Sequence, residues 1–243
     1  MDHKYVQIMP YRRLPNTDQS RLRAMETARL KGKNTSPNQL PFSQKVYLDL
    51  QAFLPQFQQA IDQYNFSKTK QAQVGRQLAE LFRMGRLYVS HFIQVINFCI
   101  QRNEMKPAVR KFYGLDEDDK SIPELGTEHQ LIEWGEKVLK GDDARILAGG
   151  SRIYNPSIAV VKVKYEQFLE LYNNHKSLVV TTQKHLDKVA EMRAHADKII
   201  LDLWNEIEAS FVDLPSQSRR MRCTECGIVY FMRKGEKEDS LLE

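Results

Sequence analysis

Residues 158–210 have the sequence IAVVKVKYEQFLELYNNHKSLVVTTQKHLDKVAEMRAHADKIILDLWNEIEAS. Mostly apolar side chains recur here at alternating steps of three and four residues, and the series never changes register. In an α-helix this spacing places one residue per turn on a single stripe. The stripe consists of Ile158, Val161, Tyr165, Phe168, Tyr172, His175, Val179, Thr182, Leu186, Val189, Arg193, Ala196, Ile200, Leu203, Ile207 and Ser210. The stretch therefore predicts one long helix, from about residue 156 to 213, packed against a partner.

A second series with the same steps runs from Leu50 to Arg102 and predicts another long helix, from about residue 43 to 103. Pro55 lies off this stripe and either bends the helix or divides it, and we favour one bent helix. Two helices of matched length predict an all-α fold, an elongated antiparallel helical bundle of coiled-coil type. Two copies of this bundle, associated as a homodimer, would bury more apolar surface than one copy alone.

Both stripes become polar in the middle. Ser67 and Gln71 occupy that part of the first stripe, and His175 and Thr182 occupy that part of the second. In an antiparallel pair these positions lie roughly beside each other. We therefore expect the pair to be well packed at its ends and less well packed at its centre.

The chain divides into three predicted segments. Residues 1–41 form a basic N-terminal arm with one helix, which Asn16 or Thr17 caps and Gly32 stops. Residues 42–214 form the bundle, comprising the long helix of 42–103, a connector of 104–155 and the long helix of 156–214. Residues 215–243 form a tail with a C-x-x-C motif and a short strand over 227–232.

The connector is predicted to contain two short helices. The first covers 107–115 and stops at Gly114. The second follows the capping-box sequence that begins at Thr127, and the sequence Gly141-Asp142-Asp143 ends it near Lys140. Asn155 then offers a cap for the second long helix, with Pro156 at its first position.

Composition bounds the class of protein. The hydrophobic fraction is 42% and the charged fraction is 28%, as in ordinary folded proteins. No apolar run approaches the ~20 residues that cross a bilayer, so we expect no membrane partner. Three cysteines are too few for a disulfide framework, and no signal-type apolar stretch follows the first residues. We expect a cytoplasmic protein.

The net charge of +5 is concentrated at one end of the chain. Residues 1–34 contain eight Lys or Arg against three Asp or Glu, so this segment alone accounts for the excess. Such an arm can contact nucleic acid or an acidic partner, with Arg12, Arg13, Arg21 and Arg23 as the candidate residues. The alternative is a solvated helix surface, because Arg and Lys also suit helices.

The most specific local motif is Cys223-Thr224-Glu225-Cys226-Gly227. Two thiolates at this spacing can share a zinc ion, and the glycine suits a tight turn after the second thiolate. A structural zinc site needs four ligands, so a symmetry mate or a distant histidine such as His3 would have to complete it. A redox pair is a second possibility. A pair with no special role is the third.

No catalytic constellation is evident. Arg145, Gly149, Gly150, Ser151 and Arg152 precede a predicted helix start and can hold an anion, but they lack nucleotide-binding spacing, so a structural turn is the favoured interpretation. The Glu-x-x-His pair of a di-iron helical bundle is missing as well. We therefore expect a helical scaffold or protein-interaction protein rather than an enzyme. The alternative is a nucleic-acid-associated protein that uses the basic arm and a zinc knuckle.

Several stretches resemble a family of bacterial all-helical proteins with no assigned function. They are Pro10–Asp18, Ser90–Val95, Trp134–Lys137, Asn155–Ala159 and Leu203–Ile207. The resemblance implies a helical structure and a bacterial origin, and it brings no activity, ligand or binding residue.

Overall fold

A computed structural model of the chain describes residues 11–231. This part of the chain contains five α-helices: α1 (Asp18–Lys33), α2 (Gln44–Gln101), α3 (Glu128–Leu147), α4 (Ile158–Ser210) and α5 (Ser216–Glu225). It also contains two strands, β1 (Tyr11–Arg12) and β2 (Tyr230–Phe231), and two 3-10 helices, Pro37–Gln39 and Pro107–Tyr113. The predicted all-α class, with two long helices and a short C-terminal strand, is confirmed. Within residues 11–231, no helix combines the length and apolar content needed to cross a bilayer.

Pro55 does not divide the first long helix. It lies inside α2, which continues for 58 residues. Proline removes one backbone N–H donor and crowds the preceding turn, yet its ring is exposed here, so no buried contact depends on it. The apolar stripe, which continues on both sides of Pro55, stabilises the helix by packing.

The chain forms two compact units, and both long helices contribute to each. Unit 1 comprises Met1–Phe66 and Gln183–Glu243, and unit 2 comprises Ser67–Thr182. These units differ from the predicted segments 1–41, 42–214 and 215–243. The predicted segments follow one another along the chain, whereas each long helix is shared between the two compact units. The boundaries fall at Ser67 and Thr182, in the polar middle of the two stripes.

In unit 1, α1, α2, α4 and the C-terminal segment share one apolar core. Leu22, Met25, Phe57, Trp204 and Cys223 all belong to it and are buried. The two long helices run antiparallel here. The Ser43 backbone N–H donates to Glu206 at 2.5 Å, and the Phe53 ring stacks on His195 with centroids 4.5 Å apart.

In unit 2, a second core joins α2, α3, α4 and the 3-10 helix of Pro107–Tyr113. The long helices are again antiparallel, since the Phe82 and Phe168 rings lie 5.9 Å apart while Gly75 lies against His175. The buried Arg110 donates to the Asp116 carbonyl at 2.5 Å and also to Asn97. These bonds hold the acidic turn after the 3-10 helix, which ends at Gly114 as predicted.

The predicted stop of α1 at Gly32 is wrong. The helix continues to Lys33, and Thr17 caps its start with a full capping box. Gly32 is instead buried inside the helix, where the Tyr47 ring fills the space that a side chain would need. The glycine serves close packing, which a residue pattern cannot distinguish from a stop signal.

The predicted end of α3 near Lys140 is also wrong, although the predicted cap at Thr127 is confirmed. The helix passes through Asp142 and continues to Leu147. Asp142 is buried, accepting hydrogen bonds from Tyr113 at 2.8 Å and from Arg145 at 2.7 Å. In the sequence, Asp142 resembles part of a polar turn. In the structure its carboxylate is buried in the core and hydrogen-bonded.

The predicted cap of the second long helix is shifted. The helix begins at Ile158 rather than Pro156, and the Ser157 hydroxyl rather than Asn155 accepts from the Val160 N–H, at 3.4 Å. Both Asn and Ser are good caps, so the local sequence does not decide between them. Helix α5 lies in the tail, where the sequence pattern predicts only a strand.

Candidate functional site

Two distant stretches of the chain meet in unit 1. β1 pairs with β2 in antiparallel register, with Tyr11 opposite Phe231 and Arg12 opposite Tyr230. The Arg13 N–H extends the pairing by donating to the Val229 carbonyl at 2.9 Å. The basic segment and the C-x-x-C segment, predicted as separate candidate sites, therefore lie together.

Glu208 of α4 joins both strands to the helical core. One carboxylate oxygen accepts from the Arg12 guanidinium at 3.0 Å, and the other accepts from the Tyr230 hydroxyl at 2.8 Å. Arg12 also donates to Asn205 at 2.7 Å. Burial and the bond to Glu208 raise the pKa of Tyr230, so this hydroxyl keeps its proton as a donor. The strand pair is thereby attached to α4.

Two further ion pairs hold α1 against α4. Arg21 donates to Asp197 at 2.7 Å, and Arg193 donates to Asp18 at 2.9 Å. The same side of α1 buries Leu22, Met25 and Ala28 in the core, to which α4 also contributes. The predicted basic arm, as far as the structure describes it, is therefore part of unit 1, and its helix α1 packs against the core.

The turn that follows α5 approaches α1 closely at Gly227. This glycine has a φ of +97°, a conformation that L side chains rarely adopt. A Cβ here would stand 3.1 Å from the Thr27 Cβ and 3.2 Å from the Ala24 carbonyl oxygen. Glycine therefore permits both the turn and its approach to α1.

These elements enclose a cavity of about 400 Å³. Its apolar walls are Leu14, Pro15, Ala24, Ile228, Val229 and Phe231. Polar groups from α1 and the turn interrupt these walls, and two guanidinium groups, Arg13 and Arg23, complete the lining. Among the described residues that line it, none is Asp or Glu. Mostly apolar walls with a few convergent polar groups are typical of ligand sites.

The four arginines predicted as partner contacts have two different environments. Arg12 and Arg21 are occupied by carboxylates of α4, as described above. Arg13 and Arg23 are exposed and line the cavity, and Arg13 lies over the Phe231 ring at 5.1 Å from its centroid. Only the second pair is placed to contact a ligand of the cavity.

Cys223 and Cys226 are not among the described residues that line the cavity, and both are fully buried in the core of unit 1. Cys223 belongs to the last turn of α5, and the Cys226 N–H donates to its carbonyl at 3.0 Å. Burial raises the pKa of both thiols, which favours the protonated form. Protonated, buried thiols are poor nucleophiles.

The described residues do not complete a zinc site around this pair. Within residues 11–231, no group of three or more His, Cys, Asp or Glu is placed to hold a metal ion. His3, the predicted distant ligand, lies outside the described residues. Zinc binding therefore stays a prediction. Metal analysis of protein purified without added zinc tests it, with about one zinc per chain or per dimer expected for a ligand pair.

In the glycine-rich turn of unit 2, the Arg145 guanidinium is already hydrogen-bonded within the protein. Arg145 is buried and donates to Asp142, while its other terminal nitrogen donates to the Ser151 carbonyl at 2.6 Å. The Gly150 N–H donates to the Arg145 carbonyl at 3.0 Å. These contacts agree with the structural-turn interpretation rather than with an anion site.

Glu208 and Asn205 were missed by sequence reasoning, although they hold the strand pair in place. They lie almost 200 residues from Arg12 along the chain. Periodicity reports which face of a helix is apolar, but it cannot pair a particular carboxylate with a distant arginine. Only the antiparallel arrangement of α4 beside the strand pair brings these groups together.

Comparison of the chain with protein-family models, curated proteins and solved structures gave no match. The resemblance to bacterial all-helical proteins therefore stays a prediction.

Proposed function

We propose that the protein is a non-enzymatic helical scaffold or interaction protein that binds a partner protein through the cavity of unit 1. The observation that supports this proposal is the cavity itself, which is open to solvent at an apolar rim. Leu14, Val229 and Phe231 on that rim remain 41–46% exposed although they adjoin the core. Apolar side chains concentrated at one surface position are typical of interaction sites.

A substitution that fills the cavity tests this function. Asn16 is exposed and lines the cavity, so Asn16→Trp adds an indole where a partner would insert. Asn174→Trp is the matched control, since Asn174 is an exposed α4 residue of unit 2. Affinity capture from native lysate should recover a partner with the wild type and the control but not with Asn16→Trp. Equal recovery by all three proteins would contradict the proposed site.

A second candidate function is association with nucleic acid. Arg13 and Arg23 support it, together with Arg219 and Arg220 of α5 in the same unit. Phosphate contacts would make the affinity fall steeply as salt rises. A gel-shift titration with single- and double-stranded oligonucleotides tests this function, and no binding at low salt would eliminate it.

Self-association as a homodimer is a further part of the proposal. Both units retain exposed large apolar side chains, including Met221 in unit 1 and Leu147 and Tyr154 in unit 2. Sedimentation equilibrium over a range of concentrations tests it, because a dimer gives twice the monomer mass of 28.4 kDa. A constant monomer mass would contradict it.

A further inference from the structure

We propose that the cavity of unit 1 recognises an acidic segment of the partner protein, one in which carboxylate side chains flank a single large apolar side chain. This inference rests on the proposed function, because it names the chemistry by which the same cavity would select its partner.

The walls of the cavity account for the apolar side chain. Ala24 and Ile228 are buried and form its inner lining. Leu14 and Phe231 belong to the exposed rim. The volume of about 400 Å³ falls within the range of ~300–1,000 Å³ that is usual for ligand sites. Such a space accepts one large aliphatic or aromatic side chain.

The two arginines account for the carboxylates. Arg13 and Arg23 enter the cavity lining from different elements, the segment after β1 and the middle of α1. The contact of Arg13 with the Phe231 ring holds its guanidinium at the rim. A guanidinium that stacks through its face still has its in-plane N–H donors for a carboxylate. With no carboxylate among the described lining residues, the cavity favours an anionic ligand.

The exposed rim favours a protein segment over a small anion. Leu14 and Val229 line the cavity but remain 43% and 46% exposed, so they offer apolar surface at its mouth to the residues next to an inserted side chain. Extended segments that insert one anchor side chain and place charged neighbours at the rim are a common form of peptide recognition.

The test uses the full chain and a fluorescein-labelled ten-residue peptide, with Glu-Phe-Glu at the centre of a Gly/Ser background. Fluorescence anisotropy should show saturable binding. Replacement of both glutamates by glutamine, or of phenylalanine by serine, should weaken it about tenfold or more. Arg23→Glu should weaken binding of the Glu-Phe-Glu peptide to a similar degree. The Arg23→Glu variant should in turn prefer a Lys-Phe-Lys peptide.

Arg86→Glu is the matched control, because Arg86 is an exposed arginine of α2 in unit 2 and undergoes the same change of charge. It should leave the affinity unchanged. Equal weakening by Arg23→Glu and Arg86→Glu would overturn the proposal, since the peptide would then sense only net charge. Absence of saturable binding would also overturn it. A concentration-dependent dimer mass that Arg23→Glu abolishes would assign the cavity to a second copy, against the proposal.

The two proposals fail separately. A captured partner that is lost with Asn16→Trp but retained with Arg23→Glu would support a protein-binding cavity and contradict acidic recognition. A partner retained with both variants would contradict the proposed function itself.

Discussion

Asp142, Arg145 and Tyr113 form a charged cluster inside unit 2, and each side chain depends on the other two. The Tyr113 hydroxyl donates to Asp142 at 2.8 Å and accepts from the Arg145 Nε at 2.9 Å. All three residues are at most 2% exposed. A buried charge is tolerated only when it is paired and hydrogen-bonded, so the cluster is stable as a set.

Removal of the carboxylate should therefore be costly. Asp142→Ala leaves the Arg145 guanidinium buried without its counter-charge, and we expect the free energy of unfolding to fall by about 3–5 kcal/mol. Asp143→Ala is the control, because Asp143 is the adjacent exposed residue of the same helix. Asp143→Ala should change the free energy of unfolding by about 0.5 kcal/mol or less. Urea denaturation followed by circular dichroism measures both, and similar values for the two variants would contradict the assigned role.

Tyr113 should make stability fall at alkaline pH. Burial raises the pKa of its hydroxyl above the ordinary value of 10.0. In the unfolded chain this hydroxyl loses its proton near pH 10, whereas in the folded protein it keeps it. The stabilising contribution is complete below pH 10 and is lost as the pH rises above that value.

The Tyr113→Phe variant lacks this titration, so its free energy of unfolding should fall less steeply with pH. Urea denaturation of both proteins at several pH values between about 8 and 11 compares the two slopes. Parallel slopes for the wild type and Tyr113→Phe would show that this hydroxyl does not titrate differently on folding.

Among the helices, α2 shows what an apolar stripe can and cannot predict. The three-four spacing indicates a helix, and the helix forms through Pro55 because one face packs continuously in unit 1. The buried apolar residues stop at Ile61 and resume at Leu78, which matches the polar middle of the stripe. Ends are less predictable, because Gly32 and Asp142 have packing roles that resemble stop signals.

Pro55 should limit the stability of α2. Its ring is exposed, so substitution removes no buried contact, and Pro55→Ala restores a backbone N–H donor within the helix. We expect the free energy of unfolding to rise, by up to about 3 kcal/mol. Thermal and urea denaturation of the variant measure the change. A decrease in the free energy of unfolding would contradict this expectation and would show that Pro55 stabilises α2.

Cys223 in the last turn of α5 and Cys226 just after the helix are both protected by burial. Burial of Cys223 and Cys226 and their raised pKa values both oppose reaction with a disulfide reagent. Thr224 lies between them and is exposed, so Thr224→Cys supplies a reactive control in the same turn. In a native-state assay with a chromogenic disulfide, the introduced thiol should react rapidly. Cys223, Cys226 and the third natural thiol, Cys99, which is also buried, should react slowly.

In denaturant all thiols of the variant should react at similar rates. Rapid native reaction of Cys223 and Cys226 would contradict the burial described here and would favour the redox interpretation of the pair.

At the scale of the whole chain, the three-four periodicity of the apolar residues predicts the two long helices, and their matched length predicts the all-α class. The cavity could not be predicted in the same way. It depends on pairing Tyr11 with Phe231, and on Glu208 joining both strands to α4. Each of these contacts spans a long separation in sequence and involves residues that fit no repeat. The candidate residues were identified as two groups, and only the fold shows that they share unit 1.

The account depends most on one claim, that the two ends of the described chain build a cavity that binds an acidic segment. Methyl-labelled protein titrated with the Glu-Phe-Glu peptide tests it most directly. We predict saturable chemical-shift changes at Leu14, Ala24 and Ile228, with unchanged methyl signals from Val138 and Val161 in unit 2. Unchanged signals at the three cavity residues, or shifts confined to unit 2, would contradict it.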